Sequence, residues 1–141
     1  MVDGAHAIGQ IPVDVTTLGA DYYLSNGHKW LFSPKGSAVL WVRRDYQDGV
    51  VPTVISSEFQ DSTFVSRFEY TGTRDYSNML AMRDALAFRA SIGGEAAIVG
   101  YIGGLAAWAG QYLAALWQTD LIAPLSMVGA MVHFTCVLAR K

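Results

Sequence analysis

The chain has 141 residues, 12 acidic and 10 basic, for a formal net charge of −2. Apolar residues make up 52% and charged ones 16%, below the roughly 25% of an average soluble domain, so a sizeable core can be buried and the composition argues against disorder. Near-neutral charge removes the electrostatic case for nucleic-acid binding, and the single cysteine, Cys136, excludes an internal disulfide framework and a multi-cysteine zinc site.

Met1 and Val2 read as the end of an apolar strand. No basic-then-apolar leader precedes them, so a cytoplasmic location is expected. Residues 12–19 hold a short helical turn with Asp14 as its cap and Gly19 as its stop. Residues 20–25 are aromatic-rich and read as a strand running into Asn26, Gly27, His28 and Lys29. Beyond the turn formers Pro34 and Gly36, residues 37–42 form a nearly continuous apolar strand, expected to be covered on both faces. Residues 47–74 read as irregular apart from a β-like run at Thr53, Val54 and Ile55. Met79, Met82, Leu86 and Ala90 recur at helical spacing, which predicts a helix capped by Ser77 or Asn78 and stopped by Gly93 and Gly94. A longer helix from Glu95 to about Trp117 is apolar nearly all round and therefore expected to be buried. Residues 126–141 read as one strand.

Eighteen of the 22 charges fall in residues 1–91, and residues 96–119 carry none. An uncharged run of that length raises a membrane span, and Gly100 and Gly104 form a GxxxG pair. Gln111, Gln118, Thr119 and four glycines dilute the run, and its flanks lack basic clusters. A helix buried between domains is the favoured reading.

The chemistry-bearing residues gather after the first two strands: Asp3 and His6 after one, Asn26, His28 and Lys29 after the other. In an open α/β sheet, residues past the carboxyl ends of neighbouring parallel strands line the ligand crevice, which would face Asp3 and Lys29 into one pocket. A carboxylate can keep a pyridinium nitrogen protonated and a lysine can form a Schiff base with an aldehyde, the two needs of pyridoxal 5'-phosphate (PLP). Taken singly, each residue has a plainer reading. Lys29 can be a solvated lysine, His6 and His28 structural histidines without a clear third metal ligand, and Asp3 a turn cap. Gly72 and Thr73 can be an ordinary loop, and Cys136 a small core residue.

The runs Val2-Asp3-Gly4-Ala5-His6-Ala7-Ile8-Gly9, Asp21-Tyr22-Tyr23-Leu24-Ser25-Asn26-Gly27-His28-Lys29-Trp30 and Pro34-Lys35-Gly36-Ser37-Ala38 resemble class V aminotransferases, most closely their isopenicillin N epimerase-like branch. Thr71-Gly72-Thr73-Arg74-Asp75 and the stretch from Phe88 to Ala97 resemble it too, so the likeness extends over residues 2–131. The resemblance implies a partial fold-type I, PLP-dependent α/β large domain followed by helices leading to an absent small domain. Residues 1–92 would be the C-terminal part of the PLP-binding domain, and residues 93–141 the linking helix and the start of the small domain. It implies Lys29 as the Schiff-base lysine and Asp3 as the partner of the pyridinium nitrogen. His6 would lie near the ring oxygen, with Asn26 and His28 at the phosphate. Gly72 and Thr73 would be lent to the phosphate of a neighbouring subunit, hence a homodimer.

The implied function is PLP chemistry at the α-carbon of an amino acid: transamination, epimerisation or elimination, with Lys29 moving the α-proton. The family's upstream phosphate-binding loop and its downstream substrate-carboxylate arginine have no counterpart here. The chain is therefore expected to be a fragment that does not act alone; the alternative is a non-catalytic, partner-binding remnant.

Overall fold

The computed structural model describes residues 1–60 and 63–135; Cys136 and the end of the expected C-terminal strand lie outside them. One sheet has the order β1 (Val2–Asp3), β2 (Tyr22–Asn26) and β3 (Ala38–Val42). β1 and β2 run parallel, with Val2 opposite Tyr23 and Asp3 opposite Leu24, so their carboxyl ends share one edge. β3 returns antiparallel, from Tyr22 opposite Val42 to Asn26 opposite Ala38. The period of two along β2 buries Tyr23 and Ser25 together on one face. Leu31, Val42, Ala20 and Ile98 complete the nearby core.

β3 departs from its expected cover. Ala38 and Leu40 are exposed and Val39 and Trp41 only half-buried, because an antiparallel edge strand needs one packed face, not two.

α1 (Val15–Leu18) forms as its local chemistry dictates. Asp14 Oδ1 accepts the Thr16 and Thr17 amides at 2.8 and 3.3 Å, and Gly19 closes the turn in the left-handed region. Residues 44–69 are more ordered than expected. They hold two 3-10 turns, Arg44–Gly49 and Ser57–Gln60, and a helix, α2 (Phe64–Glu69). Thr63 starts α2 by accepting the Ser66 amide at 3.1 Å, a cap hidden among polar neighbours. Thr53, Val54 and Ile55 belong to no strand, as no neighbouring segment among the described residues offers them a pairing edge.

α3 (Ser77–Ser91) and α4 (Gly94–Trp117) follow, bent by 75° about Ile92 and Gly93. Tyr76, not Ser77 or Asn78, occupies the cap position of α3; the Ser77 amide is taken by Asp75 Oδ1 at 2.8 Å and the Met79 amide by Asn78 Oδ1 at 2.9 Å. α4 has its expected extent but not its expected burial. Only Ile98, Ala106 and Gly110 are buried, while Tyr101, Trp108, Tyr112 and Leu116 are exposed. The bend carries α3 away from most of α4, and the segment after α4 covers only a strip, with Val132 and Leu121 against Gly110. Instead of one strand, the described part of that segment holds a 3-10 turn, Leu125–Met127, and a single bridge between Leu121 and Phe134. Among the described residues no single helix is long and apolar enough to cross a membrane; α3 and α4 pass only as a bent pair, by length and composition.

Candidate active site

The shared carboxyl edge of β1 and β2 positions the cluster. Gly4 follows Asp3, donates its amide to Leu24 O at 2.8 Å and accepts the buried Ser25 hydroxyl at 2.5 Å. A Cβ on Gly4 would lie 2.5 Å from Tyr23 Cε2, so only glycine lets the chain cross the Tyr23 ring here. The next residues fold into a tight turn in which Ala7 O accepts the amides of Gln10 and Ile11. Buried Gln10 ties that turn to the C-terminal segment: its Nε2 donates to His6 O at 2.6 Å and its Oε1 accepts the Ala130 amide at 2.5 Å.

Lys29 and His6 meet in this frame, Nζ to Nε2 at 3.1 Å. Trp30 Nε1 donates to His6 Nδ1 at 3.2 Å. An indole N–H can only donate, so Nδ1 is the acceptor in that bond and Nε2 is the ring nitrogen that faces Lys29. The contact holds Nζ against the His6 ring.

Asp3 is exposed, and its Oδ1 accepts the Ala5 amide at 3.0 Å. Asn26 ends β2 opposite Ala38. His28 Nδ1 bonds to Ser37 O at 2.8 Å, holding its ring at the start of the turn that leads to Lys29. Gly72 and Thr73 stand apart, in the connection between α2 and α3. Gly72 has φ 101°, its carbonyl accepts the Tyr76 hydroxyl at 2.9 Å, and Thr73 is exposed. No hydrogen bond among the described residues joins these two to Lys29. Two grooves lie elsewhere, one of about 870 Å³ bordered by Val13, Trp41 and Leu86, and one of about 640 Å³ bordered by Leu40, Phe68 and Tyr76.

Two contributors escape a reading of the sequence. Trp30 orients His6 through its indole N–H. Arg89, on α3 and 1% exposed, donates to Trp30 O at 2.5 Å and to Gly9 O at 3.2 Å, and pairs through Nε and Nη2 with both carboxylate oxygens of Glu95. Phe32, itself left-handed at φ 65°, sets its ring 4.7 Å from the guanidinium carbon. The hydrogen bond from Arg89 holds the Glu95 carboxyl below its ordinary range, against a smaller opposing effect of burial. The only signal in the sequence was a lone cation in the second half of a helix otherwise rich in small and apolar residues.

The sequence model of aminotransferase class V matches residues 1–136. The chain is 38% identical to an L-cysteine desulfhydrase of Arabidopsis thaliana over 133 residues, covering 93% of the chain and 29% of the relative. It is 31% identical to the isopenicillin N epimerase of Streptomyces clavuligerus over 108 residues, covering 66% of the chain and 27% of that relative. Its fold matches the apo structure of a cysteine desulfurase from Thermococcus onnurineus NA1 with a TM-score of 0.73 at 20% identity, over 95% of the chain and 36% of the other. The chain thus spans about a third of the length of the relatives it matches. A partial fold-type I α/β architecture and a sequence match running almost end to end lead to one assignment: the chain belongs to the class V aminotransferase family.

Proposed function

We propose that this chain carries the lysine-bearing part of a PLP-dependent site acting at the α-carbon of an amino acid, and that the reaction is elimination of a sulfur leaving group from a cysteine-type substrate. The observation that carries the reading is the approach of Lys29 Nζ to His6 Nε2 at the shared carboxyl edge of two parallel strands. The similarity to a desulfhydrase, 38% identical against 31% for the epimerase, favours elimination over inversion.

The residues fit the cofactor in chemical kind. A lysine amine faces an imidazole, a carboxylate ends the neighbouring strand, and Asn26 and His28, at the end of β2 and just after it, supply an amide and a second imidazole. Lys29 would hold the cofactor, Asp3 its pyridine nitrogen, His6 its ring oxygen, and Asn26 and His28 its phosphate, with Gly72 and Thr73 reaching the phosphate of a second subunit. When bound, PLP supplies an electron sink for a carbanion at the substrate α-carbon. Lys29 Nζ would take the α-proton, and His6, held by Trp30, keeps that nitrogen aimed.

Borohydride reduction of the PLP-treated protein, followed by peptide mapping, tests the reading. The label is expected on Lys29, with Lys35, in the turn after Pro34, unmodified. A label on Lys35, or none on Lys29, would remove it. Sulfide release from cysteine, against inversion of an α-amino acid, measured in a full-length enzyme that carries this segment, tests the choice of reaction.

A further inference from the structure

We propose that Arg89 is a positioning residue for Lys29: its guanidinium, locked to Glu95, sets the two loop backbones that bring Nζ to His6. The proposal rests on the role given to Lys29 above. Arg89 serves both halves of the cluster at once. Gly9 lies three residues beyond His6 and Trp30 directly follows Lys29, and the carbonyls of both end on the same guanidinium. Gly9 is left-handed at φ 82°, and a Cβ there would lie 2.6 Å from Trp30 O, so the two loops touch where Arg89 clamps them. The clamp has little freedom. Its cation is 1% exposed, its ionic partner binds with two oxygens, and Phe32 closes its face. A lysine at this position would offer a point charge without the planar fork that reaches Glu95, Gly9 and Trp30 together.

The test compares Arg89→Gln and Arg89→Lys with Ile98→Ala, which truncates a buried apolar side chain of α4 that takes no part in the hydrogen bonds to Gly9 O and Trp30 O. Two readouts are taken on the full chain. One is the indole N–H resonance of Trp30, identified by its loss in Trp30→Phe and measured without cofactor. The other is the ratio of borohydride-fixed PLP at Lys29 to that at Lys35. Arg89→Gln is expected to shift or broaden the Trp30 signal and to lower the ratio about tenfold, as for a nucleophile displaced by a fraction of an ångström. Arg89→Lys should not restore either. Ile98→Ala should lower the unfolding midpoint while leaving both readouts unchanged. If Arg89→Gln behaves as Ile98→Ala does, the positioning role is overturned. Should Arg89→Gln fail to fold, Glu95→Gln decides on the same readouts. Absence of label on Lys29 in the unaltered chain would overturn the proposed function instead, and the Trp30 signal would still decide the role of Arg89.

Discussion

Replacing Gly9 by alanine separates two costs that usually arrive together. A left-handed backbone costs a residue with a Cβ about 1–2 kcal/mol. At Gly9 the new Cβ would also sit 2.6 Å from Trp30 O and 2.8 Å from the carbonyl carbon, both backbone atoms that no rotamer change can move. Reaching ordinary contact at 3.4 Å requires an opening of about 0.8 Å, and overpacking of this kind adds about 1–3 kcal/mol. Gly19 provides the control, with φ 65° and nothing within 4 Å of an added methyl. Urea unfolding followed by circular dichroism should therefore give a loss of about 2–5 kcal/mol for Gly9→Ala and about 1–2 kcal/mol for Gly19→Ala, at equal m-values. The opening also pushes Trp30 outward with Lys29 attached, so borohydride fixation of PLP at Lys29 should fall about tenfold or more in Gly9→Ala alone. Equal losses in the two variants would refute the contact between the loops and the geometry built on it.

Tyr23 hides a hydroxyl with no hydrogen-bond partner among the described residues, so Tyr23→Phe should raise the unfolding free energy by about 1 kcal/mol; an unchanged or lower midpoint would mean the hydroxyl is satisfied in solution. The Glu95 carboxyl is held below its ordinary value of 4.5 by Arg89, so its stabilising share is complete above that pH and is lost as pH falls through the lower folded value. Acid titration of the unfolding midpoint should show this loss, and Glu95→Gln should lack it. In a full-length, PLP-loaded enzyme that carries this segment, Asp3→Asn should keep the cofactor's absorbance and lose most turnover, because an amide cannot hold the ring nitrogen protonated; unchanged turnover would reduce Asp3 to a turn residue.

What could be foreseen was whatever neighbouring residues decide. Asp14 and Gly19 bracket α1 through bonds spanning two to four positions, and the stop at Gly93 and Gly94 is equally local. The strand at β3 was visible as an apolar run, but its direction was not. That depends on the turn in which the Gly27 amide reaches Ser37 O, ten residues away. Burial of α4 was inferred from its own apolarity, whereas burial belongs to whatever packs against a helix, and here that is a narrow strip. The site divides the same way. Asp3, His6 and Lys29 stood out because polar groups followed apolar strands. Trp30 figured only as the last residue of a run that resembles the family, and Arg89 acts across separations of 59 and 80 residues that no periodicity encodes.

The Arg89–Glu95 pair also straddles the break between α3 and α4, and this gives the long helix a gearing. α4 has 24 residues and is about 36 Å long, while Glu95 sits in its first turn. A swing of about 5° at the break sweeps the far end of α4 through about 3 Å, yet shifts the attachment at Glu95 by only a few tenths of an ångström. Along this route a displacement at Trp117 arrives at Glu95 reduced about tenfold.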